Sequence, residues 1–370
     1  MNYINVLSES SYMETTWYQR IVSGIDNELK PRKEKIKYLK LNEIADLPRG
    51  SVLIIIGFTE QFLIETINIC IKNDIRPLIV GSNINISNNN KINSVTIRRE
   101  DAMYENVTNL YASGCKRIAL IGPNPQVYTD ESHLQGYRLA VINHGVKNIE
   151  DDIFYNAFNI EETIERFLLV HDRYDAVVCT NDYVAILLLS KLNELGIKVP
   201  DELSITGAGN TDVSRFTDPP LTTIDIPLDI AGKQAITLYR ILLESPSINS
   251  LCSTFDYKII YRQSTKINTD TVQSSLVLND SYTPLMAPDY EKAMKPIWNI
   301  ANTYATIDDV DRKIIYGIIH NLSNTEIANS VYVSDSTLHY RLNKLYDLTN
   351  TNGKNEIKEL VTKYFPNYKY

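Results

Sequence analysis

The stretch from Tyr174 to Ile226, YDAVVCTNDYVAILLLSKLNELGIKVPDELSITGAGNTDVSRFTDPPLTTIDI, constrains the fold more than any other part of the chain. Asp175–Cys179 is a short, β-branched apolar run, the form taken by a strand buried on both faces. Asn181-Asp182 supplies a polar turn and a helix N-cap. Tyr183–Leu195 is apolar at helical spacing, and Gly196 ends it as a C′ residue. Leu203–Thr206 reads as the next strand. Open α/β sheets bind ligands beyond the carboxyl ends of their strands. Asn181, Asp182 and the loop Gly207–Asp212 therefore stand where a ligand would bind.

The same alternation runs through the first part of the chain. Tyr3–Leu7, Lys35–Leu41, Val52–Ile56 and Pro77–Val80 read as strands, with helices expected from Trp17 to about Lys30 and over Gln61–Asn73. Ile84–Asn93 reads as a loop. Thr96–Asp101 leads into a helix over Ala102–Ser113, and Cys115–Pro123 starts a second βα series. The fold class expected is α/β, with doubly wound parallel sheets.

Composition narrows the class. The 370 residues suffice for two or three domains, and 44% hydrophobic with 22% charged residues is ordinary for a globular protein. No apolar run is long enough to span a bilayer. MNYINVLSES has no basic region followed by an apolar core, so no secretory signal is expected and a cytoplasmic location is. Cys70, Cys115, Cys179 and Cys252 are scattered without metal-ligand spacing and read as free thiols. No metal or other cofactor is expected. The net charge of −8 requires any DNA-binding part to carry its own local basic surface.

The order "N-D, helix, G-I-x-V-P-D-x-x-S-I-x-G, then D-P-P-L-T-T-I" resembles the effector domain of the LacI/GalR family, whose fold is shared with periplasmic sugar-binding proteins. Further similar words are SGCKRIALIG (Ser113–Gly122), HLQGYRLAV (His133–Val141), the segment Phe158–Phe167, and YRQST (Tyr261–Thr265). The resemblance covers about residues 1–265. It implies two lobes, about 1–114 with 226–252 and 115–225 with 253–265, closing on a ligand between them. It also implies effector contacts at Ser10, Ser11, Tyr12, Trp17, Tyr18, Asp101, His133, Phe158, Asn181 and Asn210. The chain departs from the family pattern at His133, where the family carries an Arg, and at Gly209, where it carries an Asp. These departures put a standard sugar in doubt, and the expectation stays open between a sugar-like small molecule, another ligand and none. The first strand begins within the first few residues, so the expectation is that either the chain does not bind DNA or its DNA-binding part lies elsewhere than at the front.

Residues 266–305 read as a connection, with Pro284, Pro288 and a short helix at Asp289–Thr303 carrying Trp298. From 306 to 370 the character is all-α. Val310, Ile314, Ile315, Ile318 and Ile319 form a helical stripe. Ser323 with Glu326 is a capping box, and Ser334 caps a further helix. The pattern L-S-N-x-E-I-A…V-S-x-S-T-L-x-x-R-L-x-K-L resembles the LuxR-type helix-turn-helix, which places its second helix in the major groove. The resemblance implies a DNA-facing set of Ser334, Ser336, Thr337, His339, Tyr340, Arg341, Asn343 and Lys344. From Ser336 onward six basic residues oppose three acidic ones. Tyr332 occupies the turn position that the family usually fills with Gly.

The function expected is a ligand-responsive transcriptional regulator, a homodimer that binds a small molecule and double-stranded DNA and no membrane. The alternative is a sensor whose helical bundle only dimerises. No nucleophile elbow, phosphate loop or metal-spaced cluster is visible, so an enzyme is not expected.

Overall fold

The computed structural model describes residues 3–82, 92–156, 159–266 and 290–369. Two six-stranded sheets organise the α/β part. The first holds β1 (Tyr3–Ser8), β2 (Lys35–Leu39), β3 (Val52–Ile56), β4 (Arg76–Val80), β5 (Asn93–Ile97) and β11 (Cys252–Phe255), in the order β11-β5-β4-β3-β1-β2 and wholly parallel. The second holds β6 (Ile118–Ile121), β7 (Ile153–Phe154), β8 (Ala176–Cys179), β9 (Ser204–Ala208), β10 (Thr222–Asp225) and β12 (Lys258–Ile260), in the order β12-β10-β9-β8-β6-β7. Only β12, on β10, runs antiparallel. Every residue of Val52–Ile56 and of Ala176–Cys179 is buried, as continuous apolar runs covered on both faces require.

Helices α1 (Thr16–Leu29), α2 (Glu60–Lys72) and α7 (Leu228–Glu244) cover the first sheet, while α3 (Arg99–Ala112), α4 (Tyr128–Asn143), α5 (Ile160–Leu168) and α6 (Asp182–Glu194) cover the second. The chain passes between the sheets near residues 98, 226 and 256. The first passage falls earlier than residue 114, because α3 packs on α4, and Asn106 and Asn109 donate to Thr206 Oγ1 and Tyr261 Oη of the second sheet's side at 2.7 Å. The third falls later than 252, because β11 still pairs with β5.

After residue 289 come α8 (Tyr290–Thr306), α9 (Asp309–Ile319), α10 (Asn324–Ser330), α11 (Asp335–Thr349) and α12 (Lys354–Tyr364). The helix expected within the connecting segment runs over Tyr290–Thr306, and it is docked on the α/β part. Met294, Ile297, Ile300 and Ala301 recur at helical spacing and are buried against α6 and its neighbours. Helix α6 explains the docking. Tyr183 to Leu189 are all 2% exposed or less, so apolar surface surrounds the helix. The second sheet covers one side and α8 and α12 cover the other. The C-terminal end closes the seam: Phe216, Tyr304 and Tyr368 pack with ring centroids 5.1–5.7 Å apart, Asn367 bonds Phe216 and Thr217 carbonyls, and Lys363 pairs with Glu194 at 3.1 Å.

Helices α1 and α7 cross closely because Gly24 and Gly232 face the opposing backbone; a Cβ at either would strike the carbonyl oxygen of Asp229 or Ile21. Gly24→Ala and Gly232→Ala are each expected to destabilise the protein by about 1–3 kcal/mol as overpacking does, measured from urea unfolding midpoints.

Candidate functional site

A cavity of about 80 Å³ lies between the two sheets, at the carboxyl ends of their strands. Tyr12 and Trp17 approach it from the first sheet's side, joined by Phe58, which follows β3. Arg99 enters from the first turn of α3, Thr129, Asp130 and His133 from α4, and Asn156, Thr180 and Asn181 from the ends of β7 and β8. Polar residues after the strands cap α1, α2, α5 and α6 through Thr15, Thr59, Asn159 and Asn181, whereas α3 and α4 start without a side-chain cap. Asn181 Oδ1 accepts the Val184 N–H at 3.0 Å, which fixes the start of α6.

Asp182 is buried and fully engaged. Its carboxylate accepts the N–H and hydroxyl of Thr211 at 2.7 and 3.0 Å and the hydroxyl of Thr223. Burial raises its pKa and these donors oppose the rise. It staples the loop after β9 to α6 rather than facing the cavity. Gly209 in that loop has φ of 124°, a region that favours glycine, and a Cβ there would sit 3.3 Å from Trp17 Nε1. The missing carboxylate thus leaves room for the Trp17 indole.

Charge in the cavity wall comes from residues that sequence reasoning missed. Arg99 is 6% exposed and donates to the Gly81 carbonyl at 2.6 Å. Burial lowers its pKa to about 10. Asp130 accepts the Asn124 N–H at 3.0 Å, and burial pushes its carboxyl up to about 7. His133 lies with Nδ1 4.0 Å from Asp130; burial, helped by the Arg99 charge, holds its pKa down at about 3, so the ring is neutral.

Of the ten residues implied as effector contacts, Tyr12, Trp17, His133 and Asn181 line this cavity. Ser10 and Ser11 are exposed in the 3-10 turn Ser10–Tyr12 and do not. Tyr18 is buried in the core, its hydroxyl 3.1 Å from Ser8 Oγ. Asp101 pairs with Arg98 one helical turn back and points away. Asn210 accepts from Arg262 at 2.8 Å and lines a separate groove. Phe158 lies outside the described residues. Within Arg98-Arg99-Glu100-Asp101 only the phase of α3 decides which side chain faces inward, and the sequence gives no local sign of it.

In the C-terminal helices, Ser323 and Glu326 form the reciprocal capping box, and Ser334 Oγ accepts the Thr337 N–H at 3.2 Å. Tyr332 takes φ of 56°, so the turn between α10 and α11 keeps its left-handed residue without glycine, and the side chain is 96% exposed. Ser334, Ser336, Thr337, His339, Tyr340 and Asn343 are exposed along one end and face of α11. Arg341 and Lys344 are placed differently. Both reach back to Asp311 of α9, which is completely buried, at 2.7 and 2.8 Å, and Arg341 also holds Asp308. Their first role is to neutralise a buried carboxylate. Over residues 306–370 eight basic residues are matched by eight acidic ones, so the local positive excess from Ser336 onward is offset by the net acidic stretch 306–335.

Asp130 imposes a pH dependence on stability. A carboxyl with its folded pKa above its unfolded value holds a proton that the unfolded chain releases, so stability falls as pH rises from about 4 to about 7. Asp130→Asn is expected to flatten this slope, matching wild type below pH 4 and exceeding it above pH 7 by up to about 4 kcal/mol, as seen in denaturant midpoints across pH.

Residues 107–265 match the family model of the periplasmic binding protein-like domain. The HTH-type transcriptional repressor CytR of Escherichia coli (strain K12) is 32% identical over 176 residues, 47% of this chain and 52% of that protein. The chain thus spans about half the length of that relative. Catabolite control protein A of Priestia megaterium is 25% identical over 253 residues, 67% of this chain and 73% of that protein. The crystal structure of the transcription regulator CcpA of Lactococcus lactis superposes with a TM-score of 0.59 at 22% identity, covering 72% of this chain and 99% of that one. Residues 107–265 thus match a periplasmic binding protein-like domain, and the α/β part of this chain shares the fold of solved LacI-family regulators.

Proposed function

We propose that this protein is a cytoplasmic, ligand-responsive transcriptional regulator. A small molecule binds in the cavity between the sheets, and the C-terminal helix-turn-helix of a homodimer binds double-stranded DNA. The observation that carries this reading is an aromatic connection between the two parts. Trp17, in the cavity wall, packs on Tyr183 at the start of α6 with ring centroids 5.8 Å apart, and Tyr183 packs on Trp298 of α8 at 6.1 Å. Two polar contacts tie the first sheet's side into the same junction. Thr16 Oγ1 meets Tyr183 Oη at 2.8 Å, and Asn302 of α8 donates to the Glu14 carbonyl at 2.7 Å. Helix α8 therefore touches both lobes, and a ligand that draws them together moves the platform carrying the helix-turn-helix. In a dimer that movement changes the spacing of the two reading helices, and with it the affinity for a two-part site.

The pairing of Arg341 and Lys344 with Asp311 favours a second reading, in which the helices only associate with a second copy. The two readings separate on the exposed face of α11. Selection from a random duplex pool is expected to enrich a two-fold symmetric site with wild type. His339→Ala/Asn343→Ala, which leaves the Asp311 pairs intact, is expected to weaken binding to that site by about 1–3 kcal/mol per lost base contact. Arg341→Ala/Lys344→Ala is expected to cost about 3–5 kcal/mol of stability by stranding Asp311, measured by thermal or urea unfolding. No enrichment by wild type at low salt sinks the DNA-binding reading in favour of the second.

A further inference from the structure

The cavity wall constrains the chemistry of its occupant. Three side chains from three elements line this space and have hydrogen-bonding atoms with no partner among the described residues. Asn156 leaves both carboxamide atoms unpaired, His133 both ring nitrogens, and Thr180 its hydroxyl. Their exposures are 1%, 4% and 1%, so bulk water does not serve them. Unpaired polar groups this deeply buried are costly, and a cluster of them around one cavity points to a polar partner.

The remaining wall sets shape and charge. Tyr12 and Phe58 pack with centroids 5.0 Å apart, and Trp17 lies alongside in the same wall. A cavity of 80 Å³, at roughly 10–15 Å³ per water-sized group, holds about five to eight such groups, the size of a single ring. The two charges in the wall, Arg99 and Asp130, are of opposite sign, and each already bonds the backbone. The carboxylate of Asp182, which could have gripped sugar hydroxyls, is taken by Thr211 and Thr223, and Gly209 offers none.

We propose that the cavity binds an uncharged single-ring compound with neighbouring hydrogen-bond donor and acceptor, a cyclic amide or urea, its polar edge on Asn156 and its face on the Tyr12, Phe58 and Trp17 wall. The carboxamide of Asn156 presents the complementary acceptor and donor side by side. Neutral His133 and Thr180 pair with the ring's other polar atoms. The proposal rests on the reading of the cavity as the effector site, and it names the ligand class.

The test is calorimetric titration and thermal shift of the full-length protein with uracil and 2-pyridone, beside ribose and benzoate. Wild type is expected to respond to the cyclic amides and not to ribose or benzoate. Asn156→Leu breaks no hydrogen bond within the protein, so it is expected to raise the ligand-free Tm while weakening uracil binding about tenfold or more. Thr180→Val, nearly isosteric, gives a second reading of the same loss. Unchanged uracil affinity in both variants overturns the proposal. A response to ribose or benzoate that Asn156→Leu removes also overturns the ligand class, but leaves the cavity as an effector site. No response to any of the four compounds overturns it too; the regulator reading then stands or falls on the duplex selection.

Discussion

The burial of α6 is the constraint on which the rest of the arrangement depends. A helix apolar on every side has no face for water, so it must be enclosed. The second sheet covers only one side of it. The other side falls to α8 and α12, and this fixes the C-terminal helices against the α/β part. Each such side chain contributes roughly 1.5–3 kcal/mol when taken out of water, so the seam is held by many residues together. The polar contacts of Lys363, Asn367 and Asn302 set register and orientation on this surface.

That enclosure brings two distant parts of the chain to the cavity between the sheets. Tyr183 belongs to the first turn of the enclosed helix, and it touches Trp17 on one side and Trp298 on the other. The cavity and the C-terminal helices are thus two rings apart. The chain's only two tryptophans sit at the two ends of that contact chain. Any shift of Trp17 has a direct packing route to α8, since close-packed side chains transmit displacement instead of absorbing it.

Much of this was legible in the sequence. The strand–helix alternation and the caps at Asn181, Ser323 and Ser334 all follow from local rules of spacing and hydrogen bonding, whereas the left-handed turn at Tyr332 is kept against the local preference of a bulky residue. Tyr12, Trp17, His133 and Asn181 came to one cavity because each lies in the loop or the first two turns of the helix that follows the carboxyl end of a strand. Asp101 did not join them. Resemblance fixes a residue's place along α3, while the direction of its side chain depends on which partner it finds, here Arg98. Arg99, Asp130, Asn156 and Thr180 carried no motif, and only their shared enclosure distinguishes them from ordinary surface polar residues.

The sequence by itself determined the two kinds of structure in this chain, parallel α/β followed by all-α, because hydrophobic period and cap chemistry are short-range properties. Tertiary structure decided three things that no short window contains. It placed α8 on α6. It moved the first and third passages between sheets to residues 98 and 256. It turned Arg341 and Lys344 toward Asp311, thirty and thirty-three residues earlier in the chain. In each case the reason is the same. A buried apolar face or a buried carboxylate must be satisfied, and the group that satisfies it is chosen by proximity in the folded chain, which sequence spacing does not encode.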